Sequence, residues 1–242
     1  MKIYENLCVG CGRCHPYCPA QAIYFTDGIS KVAQDLCFEC GACLRSQVCP
    51  VDAIYESEDV YDYPRSVRKF FSDPTTTHKE TNMPGRGTEE VKTNDVTGRT
   101  AKGELSIGIE VGRPTVGTRI FEVEKITKAL AEAGFNDFEE KNPVSGLMKN
   151  KEKGILKEEV LHERVLSAIV EFTIKEEELE ICLEVIEKAA AEIDTVFTMD
   201  LISCYDKGMK IRVQDIIDKS NFTPRPNAKI NIGIGRLNDE EA

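Results

Sequence analysis

Apolar and polar positions alternate most clearly in the second half of the chain. Leu105, Ile107, Ile109 and Val111 are separated by polar or small residues, the pattern of a half-buried strand. Gly112-Arg113-Pro114 ends it, and Thr118 is placed to cap a helix over 119–133. Val123, Ile126, Leu130 and Ala133 form the apolar stripe of that helix, and Gly134 stops it. A second strand is expected over 144–148, followed by a charged, irregular excursion over 149–163 with one short helix. Leu166, Ala168, Val170, Phe172 and Ile174 alternate again as a third strand. Thr173-Ile174-Lys175-Glu176 fits a capping box, and Leu179, Cys182, Leu183, Ile186, Ala190 and Ile193 stripe the helix that follows. Phe197, Met199 and Leu201 open a fourth strand. Residues 103–206 therefore read β-α-β-β-α-β, an order that predicts a four-stranded antiparallel sheet with two helices on one face.

The flanking regions are weaker. Residues 207–242 hold an expected helix over 213–219, loop signals at Pro224 and Pro226, an alternating run over 229–235 that suits an edge strand, and an acidic end. Residues 61–102 are rich in loop signals: Pro64, Pro74, Thr75 to Thr77, Pro84-Gly85-Arg86-Gly87 and Thr97-Gly98-Arg99. This stretch reads as an extended linker, or as an arm whose basic residues lie along an acidic neighbour, with one helical turn over 66–71. Residues 1–60 carry three short strand candidates, 2–4, 23–26 and 31–33, with Asp27-Gly28 as a hairpin turn.

Composition changes the picture of that first segment. Eight of the ten cysteines fall between Cys8 and Cys49. Cys8, Cys11, Cys14 and Cys18-Pro19 form a C-x2-C-x2-C-x3-C-P run, and Cys37, Cys40, Cys43 and Cys49-Pro50 repeat it with five residues before the last cysteine. The repeat extends to Lys2-Ile3 with Lys31-Val32 and to Cys18-Pro-Ala-Gln-Ala-Ile-Tyr24 with Cys49-Pro-Val-Asp-Ala-Ile-Tyr55. Zinc usually takes pairs of ligands rather than triplets, and disulfides need an oxidising compartment for which no leader precedes Cys8. Both readings are weaker than an iron–sulfur one.

On these motifs the first 60 residues or so resemble the bacterial two-[4Fe–4S] ferredoxins. The resemblance implies two pseudo-symmetric halves and two [4Fe–4S] clusters. It also implies that the fourth cysteine of each run serves the other cluster: Cys8, Cys11, Cys14 and Cys49 hold one, and Cys37, Cys40, Cys43 and Cys18 hold the other. Gly10, Gly12 and Gly41 let the loops approach a cluster closely. Ala22-Ile23 and Ala53-Ile54 are expected to pack over the clusters from short helices, with Tyr4, Tyr24 and Tyr55 shielding them. The two-residue insertion within 44–48 should bulge the loop beside one cluster. In element order alone, residues 103–206 resemble a ferredoxin-like, or ACT-like, α+β domain. The fold class expected is α+β, divided as 1–60, 61–102, 103–206 and 207–242.

The net charge of -11 over 242 residues disfavours a nucleic-acid partner and favours a partner with a basic patch. No apolar run has the length of a membrane-spanning helix. The cysteine content points to a cytoplasmic protein of an anaerobe or microaerophile. Gly112 to Arg119, between strand and helix with two arginines, offers an anion site or an ordinary capped loop. Cys182 and Cys204 read as packing residues without a His/Asp constellation around them. His15 either donates to a cluster sulfide or fills its loop, and His78 and His162 carry no spacing signal. Glu176 to Glu178 is a solvated helix start.

No nucleotide, flavin or hydride motif is present, nor an acid/base pair. The first expectation is an electron-transfer protein, the ferredoxin-like small subunit or dedicated donor of an anaerobic oxidoreductase, not catalytic alone. It implies a catalytic redox partner protein and is compatible with a homodimer. The alternatives are a redox-linked regulator whose ACT-like domain binds a small anion, and a maturation or scaffold protein.

Overall fold

The computed structural model describes residues 1–78, 100–114, 116–206 and 210–224, together with residues 82, 98 and 208. The N-terminal segment is built on two small antiparallel pairs. β1 (Lys2–Ile3) pairs with β4 (Ile54–Tyr55), and β2 (Ile23–Thr26) pairs with β3 (Ile29–Val32). The β2–β3 turn has positive φ at both central residues, 51° at Asp27 and 78° at Gly28, the conformation that matches the twist of a two-residue hairpin. α1 (Ala42–Arg45) follows Gly41, which sits in the left-handed region at φ 68°.

The start of the 61–102 stretch is folded. α2 (Ser66–Ser72) sends Val67 and Phe71 into the larger core and buries Arg68 and Lys69 on its other side.

Among the described residues the main sheet has three antiparallel strands, in the order β10-β5-β11: β5 (Glu104–Val111), β10 (Ala168–Lys175) and β11 (Phe197–Ser203). α3 (Ile120–Glu132) and α5 (Leu179–Glu192) pack on each other and on the sheet, where Leu105, Ile107, Ile109 and Val111 meet Val123, Ile126, Leu130, Leu179 and Ile186. α6 (Gln214–Lys219) follows, and the edge strand expected over 229–235 lies outside the described residues.

The second strand of the expected sheet is not formed at 144–148. That stretch contains α4 (Pro143–Gly146), capped by Asn142, whose side chain accepts from the Val144 N–H at 2.8 Å. An Asn-Pro pair supplies an N-cap and a first helical residue, and this local chemistry outweighs the apolar pattern. β7 (Met148–Asn150) then pairs with β8 (Ile155–Leu156) as a separate hairpin. The outer edge of β10 is met instead by a single bridge, Phe138 to Phe172, flanked by Glu139 N–H to Glu171 O at 2.9 Å and Thr173 N–H to Asp137 O at 3.1 Å.

Two capping expectations shift. Thr118 belongs to β6 (Thr118–Arg119), paired with β9 (Arg164–Val165), so Arg119 is the cap position of α3. The capping box falls two residues late, with the Lys175 N–H donating to Glu178 at 2.8 Å.

Candidate metal centre

Cys8, Cys11, Cys14 and Cys49 line one recess, walled by Ile3, Val9, Ser30 and Ile54. The loop reaches it through Gly10 and Gly12, at φ 66° and 68°. At Gly10 a Cβ would lie 2.2 Å from the Gly28 carbonyl oxygen, so only glycine lets this loop rest on the hairpin turn. The Ser30 N–H points at the Cys8 sulfur, 3.4 Å away.

Cys37, Cys40 and Cys43 form a second group, with Cys37 and Cys43 buried and Cys43 on α1. Burial pushes the Cys43 thiol up to about 12, and the like charges of Cys37, Cys40 and Cys18 add to the shift. Cys40 is raised by burial and also feels Cys18. In the first group, burial raises Cys14, with Cys8 and Cys11 as its thiol neighbours. Thiols held neutral in this way bind as thiolates only where a cation replaces the proton.

The two prolyl cysteines are arranged alike. Gln21 and Asp52 each follow in the left-handed region, at φ 51° and 49°. The turn they make aims the Ala22 N–H at Cys18 Sγ and the Ala53 N–H at Cys49 Sγ, both at 3.2 Å. N–H groups aimed at sulfur in this way orient the side chain and tune the electronics of a metal-bound thiolate. Ala22 and Ala53 are therefore presented by turns that run into β2 and β4, and not by the short helices expected. Among the described residues no three His, Cys, Asp or Glu side chains converge closely enough to chelate a single ion. Four cysteines around one recess have the chemistry to meet the separated corners of a cubane cluster.

The 44–48 insertion is taken up by the end of α1 and a turn with Gln47 at φ 51°, and the Ser46 hydroxyl donates to the Cys43 carbonyl at 2.7 Å. His15 Nε2 lies 3.0 Å from the Ser30 hydroxyl and not against a sulfur. Tyr4 stacks on Tyr55 at 3.9 Å, yet Tyr4 and Tyr24 are nearly half exposed, at 45% and 46%. The shielding expected of them falls to Met1, Ile3, Ile23, Phe38, Val48 and Ile54.

Spacing carried no signal for the residues that hold the second group. Phe38 is buried under Arg164, whose guanidinium lies 5.1 Å from the ring centre. Glu39, fully buried between Cys37 and Cys40, pairs with Arg65 and with the Met1 amine. Arg68 donates to the carbonyls of Gln34, Asp35 and Cys37 at 2.9, 3.1 and 3.0 Å and pairs with Glu163.

The Gly112 to Arg119 loop is committed to packing. Arg119 pairs with Asp35 at 2.7 Å, holding that carboxyl below its ordinary range, and Arg113 pairs with Glu110 at 3.1 Å. The first N–H groups of α3 donate to backbone, Ile120 to Glu163 O at 3.0 Å and Phe121 to Leu161 O at 2.9 Å. Cys182 is buried on α5, and Cys204 lies just past β11, half-buried.

Residues 1–55 match the family described as 4Fe-4S dicluster domain, so the N-terminal segment is an iron–sulfur domain of the ferredoxin type. The relatives agree. The chain is 43% identical over 52 residues to a subunit of the ion-translocating oxidoreductase complex of Methanosarcina acetivorans, a match covering 22% of this chain and 19% of that protein. It is 45% identical over 40 residues to ferredoxin-1 of Rhodobacter capsulatus, covering 16% of this chain and 62% of that one. It is 38% identical over 64 residues to a ferredoxin of Mycolicibacterium smegmatis, 25% and 58% respectively. The chain thus spans under two thirds of the length of each of these relatives. No solved structure matches the chain.

Proposed function

We propose that the chain is an electron carrier holding two [4Fe–4S] clusters, and that it serves as the small subunit or dedicated donor of a catalytic oxidoreductase. Cys8, Cys11, Cys14 and Cys49 hold one cluster, and Cys37, Cys40, Cys43 and Cys18 the other. The observation that supports this is the crossing of the cysteine runs: Cys49, from the second run, lines one recess with Cys8, Cys11 and Cys14, and Cys18 of the first run does not. Each cluster, when bound, supplies a one-electron couple. The protein's part is to deliver thiolates, aim N–H groups at them and keep water from one side.

The two sites differ in access. Around the first, Cys11 is exposed, with Leu7 45% and Val9 62% exposed beside it. At the second, the Cys37 side is covered, with Arg164 of β9 over Phe38 and Arg68 of α2 on the Cys37 carbonyl, while Cys40 and Cys18 are half-buried. Exchange with a partner therefore takes place at the Cys8–Cys11 face. Similarity to a protein named as part of an oxidoreductase complex supports a partner of that class. Eight such thiols suit a reducing compartment, the cytoplasm.

Anaerobic reconstitution of the full chain tests this. About eight iron atoms and about eight sulfides per chain are expected, with two one-electron couples in a potentiometric EPR titration. A chain that binds only zinc, or about four irons with a single couple, sinks the reading. Low-salt purification from the native host, with mass spectrometry of what co-elutes, then identifies the partner.

A further inference from the structure

We propose that Arg68 is a positioning residue for the Cys37–Cys40–Cys43–Cys18 site, that its charge raises the reduction potential of that site alone, and that Glu163 of the α+β region opposes it. This rests on the two-cluster reading above and extends it to residues outside the matched segment 1–55.

The geometry is specific. The Arg68 side chain is 6% exposed, and one of its terminal nitrogens lies within hydrogen-bond distance of the carbonyl oxygens of Gln34, Asp35 and Cys37, which share its two N–H groups. The guanidinium therefore sits against the peptide that carries a candidate ligand, within 3.0 Å of the Cys37 oxygen. Its Nε meets Glu163, which is 14% exposed and lies immediately before β9. So little exposure leaves both charges weakly screened. The reduced form of a cluster carries one more negative charge than the oxidised form. A buried cation beside the site favours reduction, and a buried carboxylate opposes it. Among the described residues the cation lining the first recess is Arg13, which lies on the cysteine loop itself and not on a separate element as Arg68 does.

Arg68 also joins three parts of the chain. α2 carries it, the loop before Cys37 receives its hydrogen bonds, and the α+β region supplies its counter-ion. Arg119 to Asp35 repeats the connection between the same two regions at 2.7 Å. A movement of the α+β region relative to the cysteine loop would change the distance from Glu163 to Arg68. The potential of the second site is thereby tied to the domain that follows it.

The test is a potentiometric EPR titration of the reconstituted full chain as wild type, Arg68→Gln, Arg68→Lys and Glu163→Gln. Arg68→Gln should lower one midpoint and leave the other, and Arg68→Lys should restore most of the loss. Glu163→Gln should raise that same midpoint. A tenfold change in the one-electron equilibrium corresponds to ~59 mV. Opposite signs from the two halves of one ion pair do not arise from general loosening of the fold. Glu163→Gln keeps the guanidinium and its carbonyl bonds, so it decides the matter even if Arg68→Gln does not fold. Shifts of the same sign, movement of both midpoints together, or midpoints unmoved by Glu163→Gln overturn the proposal while two clusters are present. A wild-type chain that takes up no cluster overturns the electron-carrier reading, and this inference with it.

Discussion

Gly117 has no side chain where the Phe38 ring presses on it: a Cβ there would lie 2.2 Å from Phe38 Cζ and 3.0 Å from the Val165 carbonyl oxygen. Phe38 belongs to the second cysteine loop and Gly117 to the turn before α3, so this contact joins the iron–sulfur segment to the α+β region. Gly117 also sits at φ 75°, where a Cβ is strained. Gly117→Ala should destabilise the full chain by about 2–4 kcal/mol, from overpacking together with backbone strain. Thermal melts of Gly117→Ala, Phe38→Leu and the double variant check this. The double variant should be more stable than the sum of the singles predicts, because the smaller side chain makes room for the Cβ. Strict additivity would mean the two residues do not meet.

The proposed crossing of the cysteine runs has a consequence in paired substitutions. If Cys8, Cys11, Cys14 and Cys49 share one cluster as proposed, Cys49→Ala should remove one cluster, and adding Cys11→Ala should remove nothing more. Cys49→Ala with Cys40→Ala should remove both. Iron analysis reads the outcome as about four atoms against none. If the first run held a cluster by itself, Cys18→Ala with Cys11→Ala would be the pair without further loss.

Much of this arrangement was legible in the chain, and unevenly. The alternation of β5 and β10 and the stripes of α3 and α5 were readable because each is long and buried on one side. Val144 and Leu147 misled because both are buried, and burial alone does not separate a short helix from a strand; the Asn142-Pro143 pair was the better signal. The likeness to the 4Fe-4S dicluster family over residues 1–55 was readable because metal ligation demands residue type and spacing together. Arg65, Arg68 and Glu163 were not, because an isolated charge has no spacing, and their partners lie 26 to 95 residues away. A trace of the two arginines, though not of Glu163, was present in the basic residues over 64–102.

The cluster of charges beneath α1 should make stability fall in acid. Burial pushes the Asp73 carboxyl up, but hydrogen bonds from Lys69 and Thr75 outweigh it and hold the group below its ordinary value. Such a carboxylate stabilises the fold above its unfolded pKa of about 3.9, and the contribution is lost as pH falls through the lower folded value. Lys69, raised by Asp73 and Glu56 against its own burial, stabilises below its unfolded pKa of about 10.4 and stops doing so as pH rises through its folded value. Asp73→Asn should cost about 2–4 kcal/mol near neutral pH. In melts from pH 6 down to pH 3, the gap between the wild type and Asp73→Asn should narrow. A gap independent of pH would place the lost stability in packing. Acid damage to bound clusters is common to both proteins and cancels in the comparison.

Cys182 lies outside the cysteine runs of the N-terminal segment. It lies fully buried on the inner face of α5, and burial pushes its thiol up to about 12. A thiol raised by burial stays protonated at pH 8, and the thiolate is the reactive form. Iodoacetamide should leave Cys182 unmodified in the folded protein and label it fully in guanidinium chloride, as read by mass spectrometry of its peptide. Cys182→Ser should be less stable than Cys182→Ala, because a hydroxyl placed among Leu179, Leu183 and Ile186 loses water and has only the helix carbonyls to bond. Labelling of the folded protein at the rate of a small free thiol would mean instead that α5 opens from the sheet in the native state, and the rate would then measure that opening.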